Sequence, residues 1–223
     1  MPKDDPGKPY PAHWHWRPGD PTEYDTRGVD ADIAPRLMSL VSPRRFQHCT
    51  AVADLAVSLA QRWSLDPNHA RRAGLLHDVW RDRRDQWLDD ARREGIALPA
   101  WAQDDTGHLH GPLGAVVAAR EFSLPPPWAQ AIASHTTCRW DVSDGPTPTT
   151  EEMLLYVADH ACEGRRDPKV PHWRKLSHQD LAAAARDMLT DLLSSLLEQG
   201  RPLWEPSVLA RNALVLAAPA EKR

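Results

Sequence analysis

The sequence predicts an all-α protein, a bundle of about eight helices, and three observations carry that reading. Apolar side chains recur at spacings of three and four along most of the chain, the period of a helix face laid on a core. Residues that open helices precede several of these stretches. Segments alternating apolar and polar are few and β-branched runs are rare, so strands have little to build on.

The elements follow in order. Residues 1–28 hold Pro2, Pro6, Pro9, Pro11, Pro18 and Pro21 with few aliphatics, and are expected to form a flexible N-terminal extension. Within it, His13-Trp14-His15-Trp16 puts two histidines at alternate positions, and packing of the aromatics onto the domain surface is the simpler expectation. The remainder, 29–223, is read as one domain. Residues 30–41 are apolar-periodic. Pro43 suits the first turn of a helix that places Val52, Leu55, Leu59 and Trp63 on one stripe. Asp66-Pro67 then opens a helix with Ala70, Ala73, Gly74 and His77 on one face. A charged helix over 83–94 ends at Gly95, and a loop with Pro99, Gly107 and Gly111 follows. Further helices fit 112–121, 126–135, 149–162, 178–199 and 206–217, with a loop over 141–149.

Composition narrows the class. A chain of 223 residues can bury one sizeable core. Its 41% hydrophobic and 26% charged residues are soluble, globular proportions. No apolar run approaches the roughly 18 residues of a membrane span, and the N-terminus lacks the apolar core of a secretory signal. Three cysteines do not make a disulfide framework. A cytoplasmic protein with reduced thiols is expected. The net charge of −4 argues against a nucleic-acid polymer as partner. Arginines pair at 44–45, 71–72, 83–84, 92–93 and 165–166; most are read as solvated helix faces, but a few could line a pocket for a small phosphorylated ligand. A homodimer is left open.

The chemistry is sought where polar residues close apolar runs. His48 starts the stripe of its helix, a position where a single histidine is commonly a hydrogen-bonded core residue. His77-Asp78 closes Ala-Gly-Leu-Leu, His110 opens Gly-Pro-Leu-Gly-Ala with His108 as a competitor, His135 closes Ala-Ile-Ala-Ser, and Asp159 closes Leu-Leu-Tyr-Val-Ala. Burying an ionisable group costs free energy unless it finds a partner. The partners these six share are one another and metal ions. Four imidazoles and two carboxylates suit iron, manganese, cobalt or zinc better than calcium. A carboxylate shared between two ions would set them close together, as in two-metal phosphoester hydrolysis. Asp54 and Glu121 are further carboxylates that could stand near such a site.

The segments Arg45-Phe-Gln-His48-Cys-Thr-Ala-Val, Ala-Gly-Leu-Leu-His77-Asp78, Leu-His110-Gly-Pro-Leu-Gly-Ala, Ala-Ile-Ala-Ser-His135-Thr-Thr and Leu-Leu-Tyr-Val-Ala-Asp159 together resemble the YqeK-type family of the HD superfamily. Gly164-Arg165 and Ala210-Arg211-Asn212 fit the same pattern, which spans about residues 35 to 217. That family comprises the bacterial symmetrical bis(5'-nucleosyl)-tetraphosphatases. The resemblance implies a metal-dependent hydrolase that cleaves diadenosine tetraphosphate to two ADP, with two ions, iron by preference. It implies that His48, His77, Asp78 and Asp159 hold one ion, that His110 and His135 hold the other, and that Asp78 bridges them. It selects His110 over His108. Asp78 and Arg81 would be catalytic, and Arg81 and Arg165 would bind substrate phosphates.

The chain departs from the pattern at three places. Arg81 stands where the family has lysine, and arginine does not readily give up a proton. Cys162-Glu163 replaces Glu-Pro, and Cys138 replaces a glycine after His-Thr-Thr. A phosphohydrolase acting on another nucleotide, or a nucleotide-sensing module without turnover, are the alternative readings.

Overall fold

The computed structural model describes residues 24–97 and 106–218, and those residues form ten α-helices and no strand. The all-α expectation is met. His13-Trp14-His15-Trp16 and Pro99 lie outside the described residues.

The helices begin where polar side chains take up free backbone N–H groups. α1 (Ala34–Leu40) leads into α2 (Pro43–Arg62), whose cap Ser42 accepts from Arg45 N with Pro43 in the first turn. α3 (Pro67–Leu76) is capped by Asp66, which accepts from Asn68 N and His69 N. The expected charged helix over 83–94 is a 3₁₀ turn, Arg84–Gln86, followed by α4 (Trp87–Arg93). Two indoles divide it: Trp87 Nε1 donates to Trp80 O at 2.8 Å, and Trp80 Nε1 donates to Asp90 Oδ2 at 2.9 Å. α5 (His110–Phe122) begins two residues earlier than expected, and α6 (Pro126–Ser134) follows. α7 (Thr150–Ala161) opens on a reciprocal capping box between Thr149 and Glu152. The expected helix over 178–199 is preceded by one that was not expected: α8 (Val170–Gln179) comes first, and α9 (Leu181–Glu198) fills the expected range. Asp180, in extended backbone at φ −150°, ends the first and caps the second by accepting from Ala183 N. α10 (Glu205–Ala217) closes the chain.

α7 is the centre of the bundle. Leu154, Leu155, Tyr156, Val157 and Ala158 are all fully buried, so the helix is apolar on every side and needs neighbours all round. α2, α6, α8 and α9 supply them, and α10 packs on α9. The predicted stripe of α2 is buried at Val52, Leu55 and Leu59, while Trp63 is half-buried and donates its indole N–H to Ser177 O at 2.9 Å. α2 and α3 pack so closely that only glycine fits at 74: a Cβ there would lie 2.5 Å from Ala53 Cα.

One buried charge pair ties α6 to α7. Glu152 accepts from Arg139 Nη1 at 2.8 Å, from Ser134 Oγ at 2.7 Å and from Thr149 N at 2.8 Å, which satisfies a carboxylate that has no exposure. Ser134 immediately precedes His135. At the other end, Tyr24 is buried against Phe46 and donates its hydroxyl to Val41 O at 2.7 Å, so the chain is already packed on the domain four residues before the proposed boundary at 28. The three cysteines are free and buried. No helix of the described residues is long and apolar enough to cross a membrane.

Candidate metal centre

All six candidate ligands meet in one place. α2 supplies His48, the end of α3 supplies His77 and Asp78, the start of α5 supplies His110, the end of α6 supplies His135, and α7 supplies Asp159. Three groups have ligand atoms within 4.8 Å of one another: His48 with His77 and Asp78, His77 with His135 and Asp159, and Asp78 with His110 and His135.

Helix termination sets the imidazoles. His77 and His135 each stand one residue beyond the last residue of a helix, where carbonyls of the final turn lack intrahelical partners. His77 Nδ1 lies 2.7 Å from Gly74 O, and His135 Nδ1 lies 2.7 Å from Ile132 O. His110 repeats this at a 3₁₀ turn, with Nδ1 2.7 Å from Gly107 O. A carbonyl can only accept, so in each case Nδ1 donates and Nε2 keeps its lone pair. This is the arrangement by which backbone carbonyls orient metal-ligating histidines. At His110 a competitor is present: Arg81 Nη1 lies 2.9 Å from Nδ1 and 3.0 Å from Gly107 O. Gly107 O then takes the arginine's hydrogen beside the imidazole's.

The lone pairs need a cation. His77 Nε2 is fully buried and has no hydrogen-bond partner among the described residues. His110 Nε2 and His135 Nε2 face each other at 3.0 Å, and with both protons on Nδ1 neither can donate to the other. These orphaned acceptors fit one or more metal ions, and the nitrogen–oxygen donor set suits a divalent transition metal.

Asp78 stands between two halves of the cluster. Its Oδ1 lies 3.2 Å from His110 Nε2 and 3.5 Å from His135 Nε2. Its Oδ2 lies 3.6 Å from His77 Nε2 and 3.9 Å from His48 Nε2. Asp159 Oδ1 completes the second half, 2.9 Å from His48 Nε2 and 3.7 Å from His77 Nε2.

Burial and charge pull these groups in opposite directions. Burial would raise the Asp78 carboxyl, but the Arg45 guanidinium beside it opposes burial, and Asp78 is held well below the usual carboxylate range. Burial likewise opposes Arg165 and His48 at Asp159, and there too the carboxyl is held well down. Burial lowers His77 to about 4, with Asp78 and Asp159 resisting. Burial, helped by Arg81, keeps His110 well below its ordinary value. The metal-free site therefore consists of ionised carboxylates and neutral imidazoles at His77 and His110, the forms that bind metal.

A pH dependence follows for the metal-free protein. Unfolded, His77 takes up a proton near its ordinary value of 6.5; folded, it resists until about 4. Between those values the unfolded chain holds more protons, so stability is lost as pH falls through that window. His110 acts in the same sense. Melting chelator-treated protein between about pH 7 and pH 4.5 should show a falling Tm, and a flat Tm would show that the imidazoles are already protonated or solvated in the fold.

The other expectations divide. Arg165 reaches the site, its Nη2 against Asp159 Oδ1 and its Nε donating to Asp159 O at 2.7 Å. Gly164, at φ +86°, makes the reversal that returns it there. Arg81 is at the His110 end, as described. His108 is buried beside the site but turned away, with Nδ1 3.2 Å from Thr136 Oγ1 and its ring against Trp204, and it joins none of the three groups. Asp54 and Glu121 are not site residues: Asp54 is exposed on α2, and Glu121 accepts from Arg36 at 2.8 and 3.0 Å. Arg211 joins α10 to α9 through Thr190.

Two features escaped the sequence reading. Arg45 Nη1 donates to Asp78 Oδ2 at 2.6 Å and pairs with Asp82 at 3.8 Å. Its place in the motif before His48 was a signal; its partner, 33 positions on, was not. Cys162 Sγ lies 3.7 Å from His48 Nδ1, where the other histidines have a backbone carbonyl. Cys138, which replaces a family glycine, sits at φ +64°, so the position demands the left-handed backbone that glycine adopts freely.

With this geometry in view, the comparisons with known proteins are specific. The HD domain family profile matches residues 45–162, more than half of the chain and the span that contains all six candidate ligands. The chain belongs to the HD domain family. It is an HD-domain phosphohydrolase by that membership. A Bacillus subtilis (strain 168) protein named a symmetrical bis(5'-nucleosyl)-tetraphosphatase is 29% identical over 178 residues, 78% of this chain and 91% of that protein. A protein of the same name from Halalkalibacterium halodurans is 26% identical over 186 residues, 81% of this chain and 96% of the relative. The crystal structure of a protein from Clostridium acetobutylicum, titled a predicted HD superfamily hydrolase involved in NAD metabolism, matches with a TM-score of 0.77 at 28% identity. That match covers 83% of this chain and 96% of the other. The motif resemblance is borne out at the level of family and of named relatives.

Proposed function

We propose that this HD-domain protein hydrolyses dinucleoside tetraphosphates symmetrically, diadenosine tetraphosphate to two ADP, at a two-ion centre whose native metal is iron. His48, His77, Asp159 and Asp78 would hold one ion, and His110, His135 and Asp78 the other. One observation carries the reading: the ligand cluster has an arginine at each end, Arg81 beside His110 and Arg165 beside Asp159 and His48. A long anionic chain laid across the cluster meets positive charge on both sides of its centre. The names of the relatives support the same substrate.

Bound there, the metal ions would supply water activated near neutral pH and positive charge opposite the phosphoryl oxygens. The residues of the chain supply position. Arg45 keeps Asp78 ionised. The carbonyls of Gly74, Gly107 and Ile132 fix the imidazoles with Nε2 inward. Arg81 and Arg165 bind phosphoryl oxygens and stabilise the charge that develops on them. Neither needs to give up a proton, because a nucleoside diphosphate leaves with low basicity. A small-molecule nucleotide is thus the proposed partner.

Product analysis tests the reading. Iron-loaded protein prepared without oxygen, incubated with diadenosine tetraphosphate, should yield ADP alone. ATP with AMP would overturn the symmetrical register, and no turnover by protein carrying two ions would overturn the substrate. Arg81→Ala should lower kcat about 100-fold, while Arg81→Lys, which keeps the charge, should lose about tenfold or less. Equal losses in steady-state rate would show that the guanidinium shape, not its charge, is needed.

A further inference from the structure

A cleft of about 370 Å³ lies beside the metal centre, between the connection that follows α7 and the face of α9. His160, Arg165, Trp173, Met188, Asp191 and Ser195 are among its walls. Two of these are shared with the centre: Arg165 contacts Asp159 and His48, and His160 Nδ1 lies 3.9 Å from Asp159 Oδ2. The cleft therefore shares two of its walls with the Asp159 end of the ligand cluster.

The walls carry three kinds of group. Next to the centre stands a guanidinium, which suits phosphate. Beyond it, Trp173 and Met188 are almost wholly buried and form an apolar floor. Asp191, on the same face of α9 as Met188 and Ser195, adds a carboxylate that is also paired with Lys169. A carboxylate repels phosphate but accepts from N–H and O–H groups. A cation, an apolar floor and an acceptor are the groups that a nucleotide's phosphate, base or sugar, and donor atoms call for. The volume falls within the range of small-molecule pockets.

We propose that this cleft receives one nucleoside of the substrate, with its base or sugar on Trp173 and Met188, a donor group on Asp191, and its phosphates led by Arg165 onto the metal centre. The inference rests on the polyphosphate reading above and assigns it a nucleoside subsite. The second nucleoside has no such cleft assigned to it.

Filling the cleft tests it. Ser195 is half-buried on α9 and lines the cleft, and it is not among the buried core residues of the helix, so Ser195→Trp puts an indole into the cleft. In metal-loaded protein, Ser195→Trp should raise the KM for diadenosine tetraphosphate and the Kd for ADP about tenfold or more. The inhibition constant of inorganic tripolyphosphate, which has no nucleoside, should move by less than about twofold. Asp191→Asn should shift KM and Kd in the same direction, and decides the matter if Ser195→Trp does not fold. Unchanged KM and Kd would overturn the proposal, and so would a tripolyphosphate constant that rises in parallel. If the wild-type protein does not turn over the tetraphosphate but Ser195→Trp still weakens ADP binding, the substrate reading falls and the nucleoside cleft stands.

Discussion

Asp78→Asn is expected to cost the protein bound metal and about 1,000-fold or more of its hydrolytic rate. Asparagine keeps the shape of the side chain and one carbonyl oxygen, so the fold has little reason to change. It removes the negative charge toward which His110 and His135 turn on one side and His48 and His77 on the other. It also leaves Arg45 without the ionised partner it holds at 2.6 Å. That guanidinium, left with Asp82 at 3.8 Å, would then be less fully neutralised and would oppose cation binding more. Metal analysis of the variant should find at most one ion per chain. A variant that kept two ions and a rate within about tenfold of wild type would show that Asp78 neither bridges nor is required.

The second large effect is on stability. Gly74→Ala should destabilise the protein by about 3 kcal/mol, lowering Tm by roughly 10 °C. The new Cβ would lie 2.5 Å from Ala53 Cα and 2.8 Å from Ala53 N. Both atoms are backbone of α2, so no side chain can swing aside and the two helices must part. α2 carries His48 and α3 ends just before His77, so the movement also widens the candidate metal centre. Calorimetry on metal-free protein reads the first effect, and metal affinity reads the second. A Tm within about 1 °C of wild type would show that the α2–α3 contact yields without cost.

The candidate ligand residues could be picked out because their signal is local. His77, His135 and Asp159 each close an apolar helical run, and an ionisable group there demands a partner whatever the fold. The helix positions were legible for a similar reason, since Asp66-Pro67, Ser42-Pro43 and Thr149 with Glu152 are caps made within a few residues. The break at Asp180 was less visible. Val170, Trp173 and Ser177 are the buried residues of α8, too sparse a set to mark an apolar stripe, so all but the last two residues of that helix went unassigned.

What the sequence determined by itself was the all-α class, the spacing of its caps, and the residue types that close its apolar runs. These depend on backbone propensity and on the cost of burying charge, which act over one or two helical turns. Only the tertiary structure decided which groups face one another. It set Arg45 against Asp78, Arg165 against Asp159, Cys162 against His48, and His108 away from the cluster toward Thr136. Most of those partners are tens of residues apart in sequence. Helix packing brings them together, and packing answers to the shape of the whole core, to which short-range spacing carries no key.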